Sequence, residues 1–278
     1  MADVRLVSLH VHPIKSCRAI DLHCARIGSV GLEHDRSWMV VDGNGRFITQ
    51  RTHPALARVA VAITDAGLTL HAAADTAPLH VQRPAADAPL RRVEVWRDTV
   101  LARSAGAAAA EFFSRLLGIA AELVAVGAET QRMQCNEWTE GVAVPVHFAD
   151  GYPLLVCNRA SLDALNARLT EPLPMTRFRP NLVIEGLAAF EEDAIDSIGI
   201  GPVTLRFAKP CTRCGMTGVD QQTGLRANDP LEVLRAFRYD ALLKGVTFGQ
   251  NATVVRGAGE SLRVGDAVRV SRRARPAR

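Results

Sequence analysis

Aromatic side chains are scarce in this 278-residue chain: three tryptophans, two tyrosines and nine phenylalanines make up 5% of it. Its cores must therefore be assembled from Val, Leu, Ile and Ala. No apolar run approaches the roughly eighteen residues that a membrane helix needs. The opening Met1-Ala-Asp-Val-Arg-Leu-Val7 has neither a signal-peptide apolar region nor the arginine-rich, acid-free look of a transit peptide. A cytoplasmic location without membrane attachment is expected. The six cysteines are too few and too irregularly spaced for a disulfide framework, so reduced thiols are expected.

Several chemical devices are missing as well. There is no G-x-x-x-x-G-K-[ST] loop and no G-x-G-x-x-G turn opening a helix, which argues against nucleotide hydrolysis and a dinucleotide site. Without a G-x-S-x-G elbow, serine hydrolase chemistry has no nucleophile. The eight histidines form no H-E-x-x-H, and no second C-x-x-C completes a tetrahedral zinc site. His10 and His12 alternate along a strand and read as structural. Nothing points to pyridoxal phosphate. The formal charge of +4 owes much to the stretch from Arg269 to Arg278, which reads as a solvated end rather than a nucleic-acid arm.

What is present describes a folded chain of one large or two ordinary domains, with 48% hydrophobic and 22% charged residues. The first hundred or so residues show short strands at intervals of about ten, the rhythm of a small barrel or sandwich. Arg36 to Val41 runs into the hairpin turn Asp42-Gly-Asn-Gly45, and Arg46 to Gln50 returns. Strands are expected at Ala57 to Thr64, Leu68 to Ala72, Arg92 to Trp96 and Val100 to Arg103. Ser104 to Gly118 predicts a helix with Ser104 as N-cap and Gly118 as terminator. Further helices are expected from Ser161 to Leu169 and from Asp229 to Arg238, the latter capped by Asp229 with Pro230 in its first turn. Strand-like runs fill the rest: Leu154 to Cys157, Asn181 to Glu185, Ile198 to Ile200, Val203 to Ala208, Ala252 to Val255 and a closing run to Val270. The expected fold is mostly β (α+β). A β-barrel-like domain spans 1–103, a second β-barrel with a few short helices spans 104–272, and 273–278 form a basic tail.

The segment Phe207 to Gly224 declares chemistry most plainly. Cys211 and Cys214 flank Arg213, whose fixed charge favours a thiolate over a thiol. A thiolate suits soft centres such as copper, zinc, iron–sulfur or molybdenum better than magnesium or calcium. The alternative is a pair of inert cysteines in a structural barrel. Lys15-Ser16, Arg36 and Arg179 with Asn181 each stand at a turn beside a strand. Converging, they would suit an anion such as a phosphate; apart, they are ordinary solvated charges. Glu191-Glu192-Asp193 reads as a solvated acidic turn, and Val219-Asp-Gln-Gln-Thr-Gly224 as a structural one.

Taken in order, His12-Pro-Ile-Lys15-Ser16, Gly31-Leu-Glu-His-Asp35-Arg36-Ser-Trp38, Arg177-Phe-Arg179-Pro-Asn181 and Pro210-Cys-Thr-Arg213-Cys214 give the chain its resemblance to the MOSC family. It resembles the two-part members, the group of the mitochondrial amidoxime-reducing component and its bacterial relatives, over essentially its whole length. The resemblance implies a MOSC N-terminal β-barrel domain, a MOSC domain and a molybdenum cofactor, molybdenum held by the dithiolene of molybdopterin. It implies Cys214 as the protein ligand to the metal, with Cys211 in a less constrained place. Lys15, Ser16 and Arg36 match residues around the pterin and its phosphate. Arg179, Asn181, Thr212 and Arg213 match the opposite side, and Ser161 a helix-start serine nearby.

The activity implied is an oxidoreductase that reduces small N-hydroxylated compounds. Some bacterial relatives carry a ferredoxin-like domain that is not found after Val270, so electrons are expected from a separate flavodoxin-, ferredoxin- or cytochrome-type protein. The rival reading is a sulfur-carrier or molybdopterin-handling protein, with Cys214 as a persulfide or transit ligand.

Overall fold

A computed structural model describes residues 3–72 and 77–273. The expected tail beyond Arg273 lies outside the described residues. The largest sheet takes strands from both ends of the chain. Its order is Ile20–Leu22, Arg5–Val11, Leu182–Glu185, Leu154–Asn158, Gly245–Arg256, Val203–Thr212, Ile195–Ile200 and Val268–Arg272, with Tyr239–Asp240 beside Gly245–Arg256. Leu154–Asn158 and Leu182–Glu185 run parallel. A parallel pair needs a crossover, and helix α2, Arg159–Asn166, supplies it. That crossover returns the chain along 177–181, straight into the future site.

A second sheet, Trp38–Asp42, Ala121–Ala125, Asp98–Ser104 and Leu90–Val95, belongs to the first half. Alternation explains its faces: Val93 and Val95 are buried while Arg92 and Glu94 are exposed. A three-stranded meander, Ala60–Thr64, Gly67–His71 and Leu79–Gln82, shares its core with α1, Ala107–Leu117. The expected division at residue 103 does not coincide with a break in packing. Helix α1 and Ala121–Ala125 complete the first-half core, whereas Arg5–Val11 pairs with Leu182–Glu185 across 170-odd residues. Leu6 and Leu9 have no exposed surface and find their apolar partners only in the large-sheet core. Among the described residues no helix is long and apolar enough to cross a membrane.

Helix boundaries moved where local hydrogen bonds competed. Ser104 ends a strand instead of capping α1, because its hydroxyl bonds Glu122; Gly106 takes the cap at φ 89°. Gly118 does close α1, in left-handed geometry at φ 69°. Helix α2 begins before Ser161, capped by Asn158, whose side chain accepts from Ala160 N at 3.3 Å. Helix α3, Leu231–Arg238, has Pro230 at its start, and the Asp229 carboxylate accepts from Leu231 N at 3.1 Å. The strand Gly245–Arg256 is far longer than expected. Gly249 looks like a breaker, but at φ 75° it passes where a Cβ would come within 2.7 Å of Cys157 Sγ, so glycine is what lets the strand run through.

One buried arginine holds the loop that will form one wall of the site. Arg132 is 5% exposed; it donates to His147 O and Asp150 O at 3.0 Å each, to Ala149 O, and to the Asp98 carboxylate at 2.6 Å. Removing it strands three carbonyls. Arg132→Ala should lower stability by about 3 kcal/mol, read as a fall in urea midpoint with an unchanged slope. Arg132→Lys, with a point charge in place of the fork, should recover less than half of that loss.

Candidate functional site

The segment after the first strand is zipped onto the chain before Trp38–Asp42. Lys15 N donates to Trp38 O at 2.8 Å, Arg36 N to His12 O at 2.8 Å, and Trp38 N to Pro13 O at 3.0 Å. Ser16, Arg36 and Arg179 all take left-handed backbone, at φ 68°, 44° and 56°. Such conformations cost of order 1 kcal/mol apiece for side chains with a Cβ and persist where surroundings impose them. Here they turn three polar side chains into one open cavity of about 120 Å³.

Lys15, Ser16, Arg36, Arg179, Asn181, Thr212, Arg213 and Cys214 all line that cavity, as does Cys211. The Lys15 ammonium donates to Phe148 O at 2.8 Å and pairs with the Asp150 carboxylate. Burial pulls the Lys15 pKa down, and Asp150 restores only part of it. Desolvation works against the Asp150 charge, but Lys15 and the Trp96 indole N–H, 3.0 Å away, outweigh it and hold the carboxyl below its ordinary range. Arg36 donates to Asp35 at 2.5 Å, to the Asn181 side-chain oxygen at 3.0 Å and to Arg179 O at 3.3 Å.

Arg179 is held by an amide chain instead of a carboxylate. Its Nη1 donates to Gln221 at 2.9 Å; the Gln221 amide donates to Gln50 at 2.8 Å, and Gln50 donates to Ser16 O at 2.7 Å. Burial first, and the neighbouring Arg36 second, lower the Arg179 pKa to about 9. Arg213 donates to Cys211 Sγ at 3.0 Å and to Phe178 O at 2.7 Å, while its Nε is buried without a partner. Of five cations on the cavity wall, Lys15 and Arg36 have carboxylate partners; Arg51, Arg179 and Arg213 have none among the described residues. The cavity therefore suits an anion, with the Cys214 thiol exposed on its wall. Among the described residues no three His, Cys, Asp or Glu side chains cluster as metal ligands.

Ser161 does not join this wall. It is fully buried in α2, where its hydroxyl bonds both Glu192 oxygens at 2.7 and 2.8 Å and accepts from Phe190 N at 2.8 Å. The same contacts correct the reading of the acidic run: Glu192 is 1% exposed, and burial raises its pKa despite Ser161 and Asn158. Glu191 and Asp193 are tied to Arg272 and Arg238. Sequence reasoning also missed Thr49, Arg51, Asp150, Tyr152 and Asn251 on the wall, and Gln50 and Gln221 behind it. Gln221 sits in the Val219–Gly224 turn, so that turn is more than a connection. Asp150-Gly-Tyr152 carries no signal that sequence alone reveals.

Residues 3–120 match the MOSC N-terminal beta barrel domain, and residues 143–269 match the MOSC domain. Mitochondrial amidoxime-reducing component 1 of Mus musculus is 32% identical over 241 residues, 84% of this chain and 71% of the relative. Its Xenopus laevis counterpart is 30% identical over 98% of this chain and 84% of its own length. Molybdenum cofactor sulfurase of Drosophila grimshawi is 29% identical over 87% of this chain but only 31% of its own length.

All six cysteines are free thiols: Cys24, Cys135 and Cys214 are exposed, while Cys17 and Cys157 are buried. Burial pushes Cys17 up to about 12 and Cys157 higher still. Iodoacetamide treatment of the cofactor-free folded protein at pH 8, mapped by peptide mass spectrometry, should modify Cys214, Cys24 and Cys135. It should spare Cys17 and Cys157, whose thiolate fraction at that pH is about one in ten thousand or less. Ready labelling of Cys157 in the folded state would contradict the packing of Gly249 against it.

Proposed function

The chain belongs to the MOSC family, and on that premise we propose that it is a molybdenum-cofactor-dependent reductase of small N-hydroxylated compounds, supplied with electrons by a separate redox protein. The observation that carries this reading is the joining of one exposed thiol, Cys214, to a cavity wall with three uncompensated guanidiniums. A lone cysteine cannot complete a metal's coordination, so a metal held there would bring its other ligands with it. A pterin dithiolene is such a ligand, and it is anionic like the phosphate beside it. The names of the relatives, amidoxime-reducing component and molybdenum cofactor sulfurase, support the same cofactor.

When bound, the group supplies two-electron removal of oxygen from an N–O bond, leaving the amine or amidine. The chain's own part is holding and tuning. Cys214 offers the thiolate at the open side of the cavity. Arg213, anchored through Phe178 O and Cys211, holds its fixed charge on the cavity wall, with its Nε left unpartnered. Lys15, Ser16, Arg36, Arg179 and Asn181, neighbours on one wall, would grip a phosphate, with Thr212 lining the same cavity. Fixed cations in a partly desolvated cavity stabilise an anionic metal–sulfur set, because they need no reorganisation. Asp150, kept ionised by Lys15, stands on the wall as a hydrogen-bond acceptor.

Protein from a host that makes the cofactor should carry about one molybdenum and one pterin per chain. Cys214→Ser should abolish reduction of an amidoxime or hydroxylamine driven by reduced viologen, and Cys211→Ala should keep most of it. Lys15→Ala and Arg179→Ala should each lower pterin retention, at about 1.5–3 kcal/mol per lost charge-assisted contact. NADPH without mediator should give no amine; sustained turnover with it would overturn the external-donor reading. A carrier of sulfur or pterin would retain no molybdenum and reduce nothing.

A further inference from the structure

The cavity mouth continues, beyond Arg51, into a basic surface. Two residues beyond Ser16, Arg18 donates to Gln222 O at 2.9 Å, and its backbone N–H donates to Val59 O at 3.1 Å. The Asp220–Gly224 turn thereby lies against the 3-10 helix Pro54–Arg58. Gly224, at φ 68°, presses on the Arg58 stem so closely that a Cβ would come within 2.9 Å of it. Arg226 donates to the carbonyl of Arg51 at 2.6 Å, and Arg51 itself lines the cavity, with its guanidinium 4.4 Å from the Trp96 ring. Four arginines, Arg18, Arg51, Arg58 and Arg226, thus form one rim drawn from both halves of the chain.

None of the four has a carboxylate partner among the described residues, and Arg58 makes no side-chain hydrogen bond there either. Some other surface arginines, Arg46, Arg91, Arg159, Arg206 and Arg272 among them, are paired with Asp or Glu; what sets these four apart is that they gather at one cavity mouth. The acid in the same turn, Asp220, is folded back onto Gln222 N and Thr223 N at 3.0 and 2.7 Å, and Arg177 and these bonds keep it ionised. Leu225, 67% exposed, precedes Arg226 in the same loop. An exposed apolar side chain beside unpaired guanidiniums is the chemistry of a docking face for an acidic protein, where arginine is the favoured cation.

We propose that the Arg18–Arg51–Arg58–Arg226 rim, with the exposed Leu225 beside it, docks an acidic electron-carrier protein at the cavity mouth. The proposal rests on the reading that electrons come from outside, and it places their entry beside the exposed Cys214 wall. Charge steering would make the encounter fast at low salt and weaken it as salt rises.

The test compares the wild-type holoprotein with Arg58→Glu/Arg226→Glu, two residues outside the cavity wall. Calorimetric binding of an acidic [2Fe–2S] ferredoxin and of an acidic flavodoxin is measured at low and moderate salt, with basic cytochrome c as the opposite-charge control. At least one acidic carrier should bind wild type at low salt, lose affinity as salt rises, and bind the double variant more than tenfold more weakly; cytochrome c should bind neither better than the carriers bind wild type. Viologen-driven turnover should stay within twofold, which shows an intact site. Arg58→Gln alone, which keeps a stem to pack on Gly224 and removes the charge, should give about a threefold weakening and guards against misfolding of the double variant. Equal affinity in wild type and variants, or no acidic carrier bound at low salt, overturns the proposal. Absent viologen turnover in wild type would sink the reductase reading instead, while the binding measurements still decide the surface.

Discussion

Everything at the cavity depends on a junction between Asp35, Arg36 and Asn181. Asp35 is 3% exposed and spends one oxygen on His12 N at 2.8 Å and the other on Arg36 at 2.5 Å. Arg36 then reaches Asn181, whose side-chain oxygen also accepts from Leu155 N at 3.1 Å while its amide donates to His10 O at 3.2 Å. One asparagine thereby ties the first strand, the start of the parallel crossover pair and the Arg36 turn. A buried ion pair of this kind adds little net stability, yet losing one member leaves the other charge unpaired in low dielectric. Its contribution is placement: it fixes where three left-handed turns aim their side chains.

The electrostatics of the wall follow from that placement. His12 sits beneath Arg36 and Arg179, and burial together with those two charges drives its pKa well below the usual histidine range, so it stays neutral. Arg179 and Lys15 are both pulled downward by burial, the mark of cations gathered at a site with too little negative charge of its own. The protein offsets part of that cost with neutral dipoles: the Gln50–Gln221 pair for Arg179, and the Phe178 and Phe148 carbonyls for Arg213 and Lys15. Carbonyls and amides satisfy the donors without cancelling the charge. An anion entering the cavity would complete the neutralisation.

The chain spells out its polar turns and its thiols. Lys15, Ser16, Arg36, Arg179, Asn181, Thr212, Arg213 and Cys214 are legible because each stands in a short ordered motif beside a strand, and the structure brings all eight to one cavity. Alternation in Leu90–Val95 and the Gly118 terminator are equally local, set by a few neighbouring backbone groups. Such features need no knowledge of distant partners.

Tertiary structure decided whatever depended on a partner far along the chain. Ser161 reads like a site residue until Glu192 takes its hydroxyl, and Glu192 reads as solvated until α2 covers it. The length of Gly245–Arg256 depends on Gly249, whose bare backbone packs against Cys157. The exchange of Arg5–Val11 into the large sheet, and of α1 into the first-half core, follows from apolar burial summed over many strands, which no window of residues records. The sequence by itself determined which groups could meet an anion and a soft metal, because chemistry resides in side chains and short spacings. Only the fold decided which of them do meet, because hydrophobic burial is non-directional and long-range pairing alone converts it into position.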